Sequence, residues 1–396
     1  MKQSNVRLCV AFFGFALLGA NGGAIGVVLP SLSMYYNIDK SVVGLLFLTS
    51  SFGYFFSAFS SSLLLEKLGL RTFLVVGASA FLLGAFTLGI KPPFAIVLTT
   101  RFFLGFGIAI IETGLNAYTV ALPRHTSLLN TLHAFYGVGA LIGPVVAVAF
   151  LALQWGWNSV YLTWSLLGIP LLIGFAIVFS HEIPRSDTSK IEGTSTGNVL
   201  VAAIRLPVVW WASLFLLLYV GIEVSLGSWG YSFLVEGQHQ QAFLSSLIIS
   251  GYWFGLTLGR FTLSDIAERL GLGNVGLIYA CIAGILIGVL VIWLLPFEFF
   301  TAVGFCFIGL SLGPIYPTTV ALMPNLVSSR LVPSAIGFLV SLSILGIALF
   351  PWLAGVLAQS TGIWSLLPYT MMLTALMLLS WWIIFHGFAR KFRSVE

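Results

Sequence analysis

The sequence predicts an all-α polytopic membrane protein whose twelve transmembrane helices form two pseudo-symmetric six-helix bundles. Three observations predict it. Only 7% of the 396 residues are charged, and 59% are hydrophobic, with a mean hydropathy of +1.06. A soluble domain has about a quarter of its residues charged, so this chain cannot clothe a water-facing surface. It is also far too apolar for disorder. Twelve apolar stretches each reach the roughly 20 residues needed to cross about 30 Å of hydrocarbon. Several of their features recur at an offset of about 200 residues.

The first stretch, 8–35, follows a short polar start, Met1 to Arg7. Its apolar run is too long for a cleavable signal, so it is expected to stay as the first span. The others are 42–65, 72–90, 94–120, 128–153, 159–180, 207–234, 241–264, 272–295, 297–323, 331–358 and 364–387. Most links are as short as Lys91-Pro92-Pro93. A polar segment at 184–206 is the exception and is expected to act as a cytoplasmic linker between bundles at 1–183 and 207–396. With both termini cytoplasmic, the inner segments carry Lys2, Arg7, Lys67, Arg71, Arg124, Arg185, Lys190, Arg205, Arg260, Arg269, Arg330, Arg390, Lys391 and Arg393. The outer loops carry only Lys40 and Lys91, a strong positive-inside bias.

Other function classes are disfavoured. The net charge of +5 comes from scattered basic residues, so no nucleic-acid partner is expected. Cys9, Cys281 and Cys306 lie in apolar stretches without metal or disulfide spacing, and no metal or cofactor is expected. No nucleophile–base set or phosphate loop suggests an enzyme. Short loops leave no sizeable soluble domain for a receptor or scaffold.

The halves echo each other. Gly139 to Pro144 resembles Gly346 to Pro351, and Trp157 matches Trp364. Gly53-Tyr54 leading to Leu68-Gly69-Leu70 parallels Gly251-Tyr252 leading to Leu270-Gly271-Leu272, and Gly19-Ala20-Asn21 parallels Gly221-Ile222-Glu223. Parallel six-helix repeats imply a central cavity between the halves.

Arg101, Glu112 and Glu223 are the charges expected well inside spans. Each costs at least about 2.5–3.5 kcal/mol at a helix centre, which a purely structural role would hardly justify. Glu112 and Asn116 share a helix face about 6 Å apart along the axis, whereas Arg101 lies roughly 16.5 Å from Glu112, too far for a direct pair. Each Glu reads either as a proton- or hydroxyl-binding carboxylate or as a helix-locking hydrogen bond. Arg101 reads equally as a structural cation on helix-end carbonyls. Asn21, at mid-span 1, suits substrate contact or an interhelical bond. His133 lies near the inner end of span 5, with Tyr136 three residues on, and reads as a packing residue or a ligand contact. Tyr136, Tyr219, Trp229 and Tyr316 offer faces on which a sugar can stack while Asn21, Glu112, Asn116 and Glu223 bond its hydroxyls. Gly313, Pro314 and Pro317 predict an interrupted span 10, at the depth of Glu112, a pointer to a transport site.

All twelve spans resemble the major facilitator superfamily. Its span 2–3 loop, usually Asp-Arg-x-Gly-Arg-Arg, stands here as Glu66-Lys67-Leu68-Gly69-Leu70-Arg71. Its span 4 motif stands as Arg101 to Gly107, and its span 5 Gly-x-x-x-Gly-Pro as Gly139 to Pro144. Glu112 to Asn116, Leu132 to Gly137, Tyr219 to Trp229 and Gly313 to Thr318 resemble the fucose-permease and sodium-glucose-cotransporter-like branch. Fucose permeases carry an acid in span 1, where this chain has Asn21.

The resemblance implies a monosaccharide carrier working by alternating access in a bacterial inner membrane. Its partners would be the sugar, a coupling cation and the bilayer, and the protein is expected to be a monomer. The substrate residues implied are Asn21, Glu112, Asn116, His133, Tyr136, Tyr219, Glu223, Trp229, Tyr316 and Thr318. Glu112, Glu223 and Arg101 would couple protons, with sodium as a rival ion. Glu66, Arg71, Arg260, Asp265 and Arg269 would gate the cytoplasmic side. A proton-driven exporter of amphipathic compounds is the alternative, because antiporters share the span 5 pattern.

Overall fold

A computed structural model describes residues 2–123, 125–180 and 201–388. Arg124, Arg185, Lys190, Arg390, Lys391, Arg393 and residues 184–200 of the expected linker lie outside the described residues. Twelve described helices are long and apolar enough to cross a membrane. The first is α1 (Asn5–Tyr36). A single helix, Lys40–Gly89, carries the next two spans, α2 (40–68) and α3 (70–89), and departs from helical geometry only at Gly69. There follow α4 (Phe94–Val120), α5 (Ser127–Ala152), α6 (Asn158–Val178), α7 (Pro207–Gly237) and α8 (Ala242–Arg269). The last four are α9 (Gly273–Leu294), α10 (Glu298–Asn325), α11 (Val332–Thr361) and α12 (Ile363–Gly387).

Helices are what an apolar solvent demands, since every backbone donor and acceptor must be satisfied within the segment. Hydroxyls in the spans follow the same rule. Thr119, Ser213, Thr319, Thr370 and Thr374 each donate to the carbonyl four residues earlier, so these polar residues are spent locally. At the start of α2, Asp39 caps the helix by accepting from the Val42 amide at 2.9 Å. The Ser41 hydroxyl, and then that amide, hold its carboxyl below the usual value.

The chain divides into two compact units, Met1–Lys190 with Gln241–Ser250, and Ile191–Gln240 with Gly251–Glu396. Inside the first unit α1 packs on α5 and α2 on α4, with backbones almost touching. A Cβ on Gly53 would lie 1.9 Å from the Phe102 carbonyl oxygen, and one on Gly105 would lie 2.0 Å from that of Ser50. Inside the second unit α7 packs on α11 and α8 on α10. Gly255 meets the Cys306 carbonyl at 2.2 Å and Gly309 meets that of Tyr252 at 2.1 Å. Small residues at helix crossings are how membrane helices gain dispersion contact without a hydrophobic drive.

These four contacts set the register of the repeat: 202 residues between α2 and α8, and 204 between α4 and α10. Gly53 therefore corresponds to Gly255. Its pairing in sequence with Gly251 is corrected, for a Cβ on Gly251 meets nothing within 4 Å. Gly69 and Gly271 keep the expected correspondence and share a left-handed φ of 70° and 69°. By the same register Glu112 corresponds to Tyr316.

Two further expectations change. The span 2–3 connection is a helix bent at one glycine, not a loop, because Gly69 alone adopts φ 70° and ψ 161°, a region essentially reserved for glycine. Span α10 is kinked and not unwound. Helices Glu298–Leu312 and Ile315–Leu322 are joined by Gly313 and Pro314, both in the right-handed region. The Leu310 carbonyl, deprived of a donor by Pro314, accepts instead from the Gly313 amide at 3.3 Å.

Candidate functional site

In the first unit Glu112 is half-buried on α4, one turn before Asn116. The Tyr54 hydroxyl of α2 donates to Glu112 Oε2 at 3.0 Å. Asn116 Oδ1 is buried and has no hydrogen-bond partner, a costly state for an amide oxygen. On α1, Asn21 is buried, and the Tyr136 hydroxyl of α5 lies against neighbouring Gly22, 3.0 Å from where a Cβ would stand. The structure thus brings Tyr54, Glu112 and Asn116 into one group, and Tyr136 to α1 beside Asn21.

His133 and Arg101 stand apart from these. The exposed His133 ring meets Phe15 edge-on, with centroids 5.3 Å apart. Arg101 is only 6% exposed. Its neighbour is the Tyr161 phenol of α6, and its Nε makes no hydrogen bond.

In the second unit Glu223 Oε1 lies 3.7 Å from Arg260 Nη2, with side chains 15% and 33% exposed. The Tyr219 hydroxyl is buried beside both charges without completing a hydrogen bond. Tyr252 of α8 donates to the Glu223 backbone carbonyl at 2.8 Å. The Tyr316 ring stands 6.1 Å from that of Tyr219. Tyr219, Glu223, Arg260 and Tyr316 therefore form a second group, which includes the α10 residue that corresponds to Glu112.

Three sequence expectations are corrected here. Arg260 was expected at a cytoplasmic gate, with Asp265 and Arg269 in the connection after span 8. It stands nine residues before the helix ends at Arg269, as the partner of Glu223. Trp229 was expected on the substrate. It is fully buried, and its indole N–H donates to the Pro351 carbonyl on α11 at 2.8 Å. Thr318 is buried about 200° around α10 from Tyr316, so the two do not share a face.

Of the remaining gate residues, Glu66 and Arg71 flank Gly69, and Asp265 and Arg269 lie in the last turns of α8. All four are exposed. Sequence reasoning missed Tyr54, Tyr161 and Tyr252. Each sits in an aromatic-rich run where nothing marks one phenol as a partner. Arg260 was findable: apolar Phe261 and Leu263 follow it.

The family model described as Major Facilitator Superfamily matches residues 11–331. The chain is 26% identical over 404 residues to Bypass of stop codon protein 6 of Saccharomyces cerevisiae, covering 93% of this chain and 80% of that protein. It is 20% identical over 398 residues to the Glucose/mannose transporter GlcP of Bacillus subtilis, covering 97% and 94%. Among solved structures, a point mutant of the nucleoside transporter NupG shares the fold with a TM-score of 0.78 at 14% identity, covering 96% of this chain and 98% of that one.

Proposed function

The chain belongs to the Major Facilitator Superfamily, and from that premise we propose that it carries a small polar organic solute, most simply a monosaccharide, by proton-coupled alternating access. It is a multi-pass membrane transporter and not an enzyme. The observation that carries the substrate reading is the group around Glu112. A carboxylate held by Tyr54 at 3.0 Å stands one turn from an amide oxygen with no partner. Such a pair offers two acceptors in sequence to the hydroxyls of a sugar. The glucose/mannose transporter among the similar proteins and the four local signatures of the fucose-permease branch support the same reading.

The exporter alternative loses its motive in this structure. A Cβ on Gly139 or Gly143 would lie 1.9 or 2.3 Å from the carbonyl oxygens of Ala16 and Ala20, so close packing of α5 on α1 accounts for the span 5 pattern. We place the boundary between the six-helix halves in the 184–206 segment. The positive-inside bias, still present without Arg260, supports cytoplasmic termini in a bacterial inner membrane.

The test is uptake by purified protein in proteoliposomes, using labelled neutral and acidic monosaccharides with tetraphenylphosphonium as competitor. Saturable sugar uptake, unaffected by the lipophilic cation, is expected. Efflux of lipophilic cations without sugar uptake would contradict the reading.

A further inference from the structure

The ion pair in the second unit has features that a helix-locking salt bridge would not need. The distance of 3.7 Å from Arg260 Nη2 to Glu223 Oε1 exceeds the 2.7–3.2 Å range of N–H···O hydrogen bonds. A guanidinium presents a rigid fork of donors that binds a carboxylate through two parallel bonds at about 2.7–2.9 Å, and Glu223 does not use that fork. Arg260 is 33% exposed within a span, where contact with hydrocarbon would be costly, so its open side faces water. Beside the pair, the Tyr219 hydroxyl is buried and has no hydrogen-bond partner, although the residue itself is only 1% exposed.

We propose that Arg260, Glu223 and Tyr219 form an exchange site for a sugar acid: the substrate carboxylate takes the Arg260 guanidinium from Glu223, and the released Glu223 carboxylate takes up one proton. This rests on the solute-transport reading above and narrows its substrate from monosaccharides in general to hydroxylated monoanions. Charge balance carries the step. Arg260 cannot give up its proton, so its charge needs a counterion in both states, Glu223 when empty and the substrate when loaded. Glu223 without its counterion is costly in so apolar a setting unless a proton neutralises it.

The site is therefore neutral before and after binding, and one proton travels with each carboxylate. The Tyr219 hydroxyl completes the cradle, and Tyr316, 6.1 Å away, offers a ring to the sugar face. The ionisable groups facing Glu223 are Tyr219 on its own helix and Tyr252 and Arg260 on α8. Tyr252 is occupied by the Glu223 backbone carbonyl, and α11 carries no Asp, Glu, His, Lys or Arg. A sugar phosphate, with a charge of about −1.5 to −2, would exceed what one guanidinium balances.

The test uses purified protein in proteoliposomes with labelled D-glucuronate, D-glucose and D-glucose 6-phosphate, and an internal pH dye. Glucuronate uptake is expected to exceed that of the other two at least tenfold. It should acidify the lumen by one proton per molecule and ignore an imposed membrane potential. Arg260→Gln should lose glucuronate uptake at least tenfold, with Arg260→Lys restoring part of it. Glu223→Gln should retain glucuronate exchange at equal or lower KM and lose proton movement, a pattern that a purely structural pair would not give and that holds even if Arg260→Gln does not fold.

Uptake of glucose or its phosphate without glucuronate would overturn this proposal and leave the transporter reading intact. Glucuronate uptake with no proton, or proton movement retained in Glu223→Gln, would overturn the exchange step. Transport of lipophilic cations alone would overturn both readings.

Discussion

Gly139→Ala is expected to lower the unfolding temperature of the detergent-solubilised protein by several degrees, while Gly251→Ala leaves it unchanged or slightly raised. The added atom is the same in both. At Gly139 it would stand 1.9 Å from the Ala16 carbonyl oxygen on α1, and ordinary contact needs about 3.5 Å. Because the opposing atom is backbone, no side chain can rotate away, and α1 and α5 must separate by roughly 1.5 Å along the crossing. Overpacking of this kind costs about 1–3 kcal/mol and more where backbone must move. At Gly251 nothing lies within 4 Å, so only the higher helix propensity of alanine, up to about 1 kcal/mol, is felt. Equal unfolding temperatures for the two variants would show that the α1–α5 crossing is looser than described.

Glu112→Gln is expected to raise the KM for the transported sugar by at least tenfold, with proton-driven accumulation retained at saturating substrate. The amide oxygen of glutamine can still accept from Tyr54, so the 3.0 Å contact and the fold should survive. What disappears is a charged acceptor for a substrate hydroxyl. Hydrogen bonds to charged groups are worth about 1.5–3 kcal/mol, or roughly 10- to 150-fold in affinity. Tyr54→Phe, which leaves the carboxylate but removes its donor, should change KM by less. If Glu112→Gln instead abolished accumulation while sparing exchange at unchanged KM, Glu112 would be the proton carrier and the role given to Glu223 would fall.

The spans were legible in the sequence because hydrophobic length is a physical requirement of the bilayer, and all twelve reappear as helices. Their ends were less so. The helix bent at Gly69 reads in sequence as a charged loop, because Glu66, Lys67 and Arg71 mark the membrane surface and say nothing about backbone conformation. Arg260 reads in sequence as a gate charge for a related reason, when its partner lies 37 residues earlier on α7. Intramembrane charged residues such as Glu112 and Arg101 announce themselves by their cost. Their partners Tyr54 and Tyr161 do not, since a phenol in an aromatic run carries no comparable penalty. The indole N–H of Trp229 is taken up by the Pro351 carbonyl on α11, a contact that nothing in the sequence around Trp229 announces. The repeat register was blurred by abundant glycine and became readable only from which carbonyl each glycine touches.

The central claim is that the polar groups inside the spans face water. In a background with Cys9, Cys281 and Cys306 replaced by alanine, Asn116→Cys and Tyr316→Cys are expected to react with a membrane-impermeant methanethiosulfonate reagent in intact proteoliposomes, and to react more slowly when substrate is present. Leu166→Cys, on the exposed apolar face of α6, should stay unreactive because lipid does not ionise a thiol. Labelling of Leu166→Cys alone, or of none of the three, would mean that Asn116 and Tyr316 lie in dry helix packing.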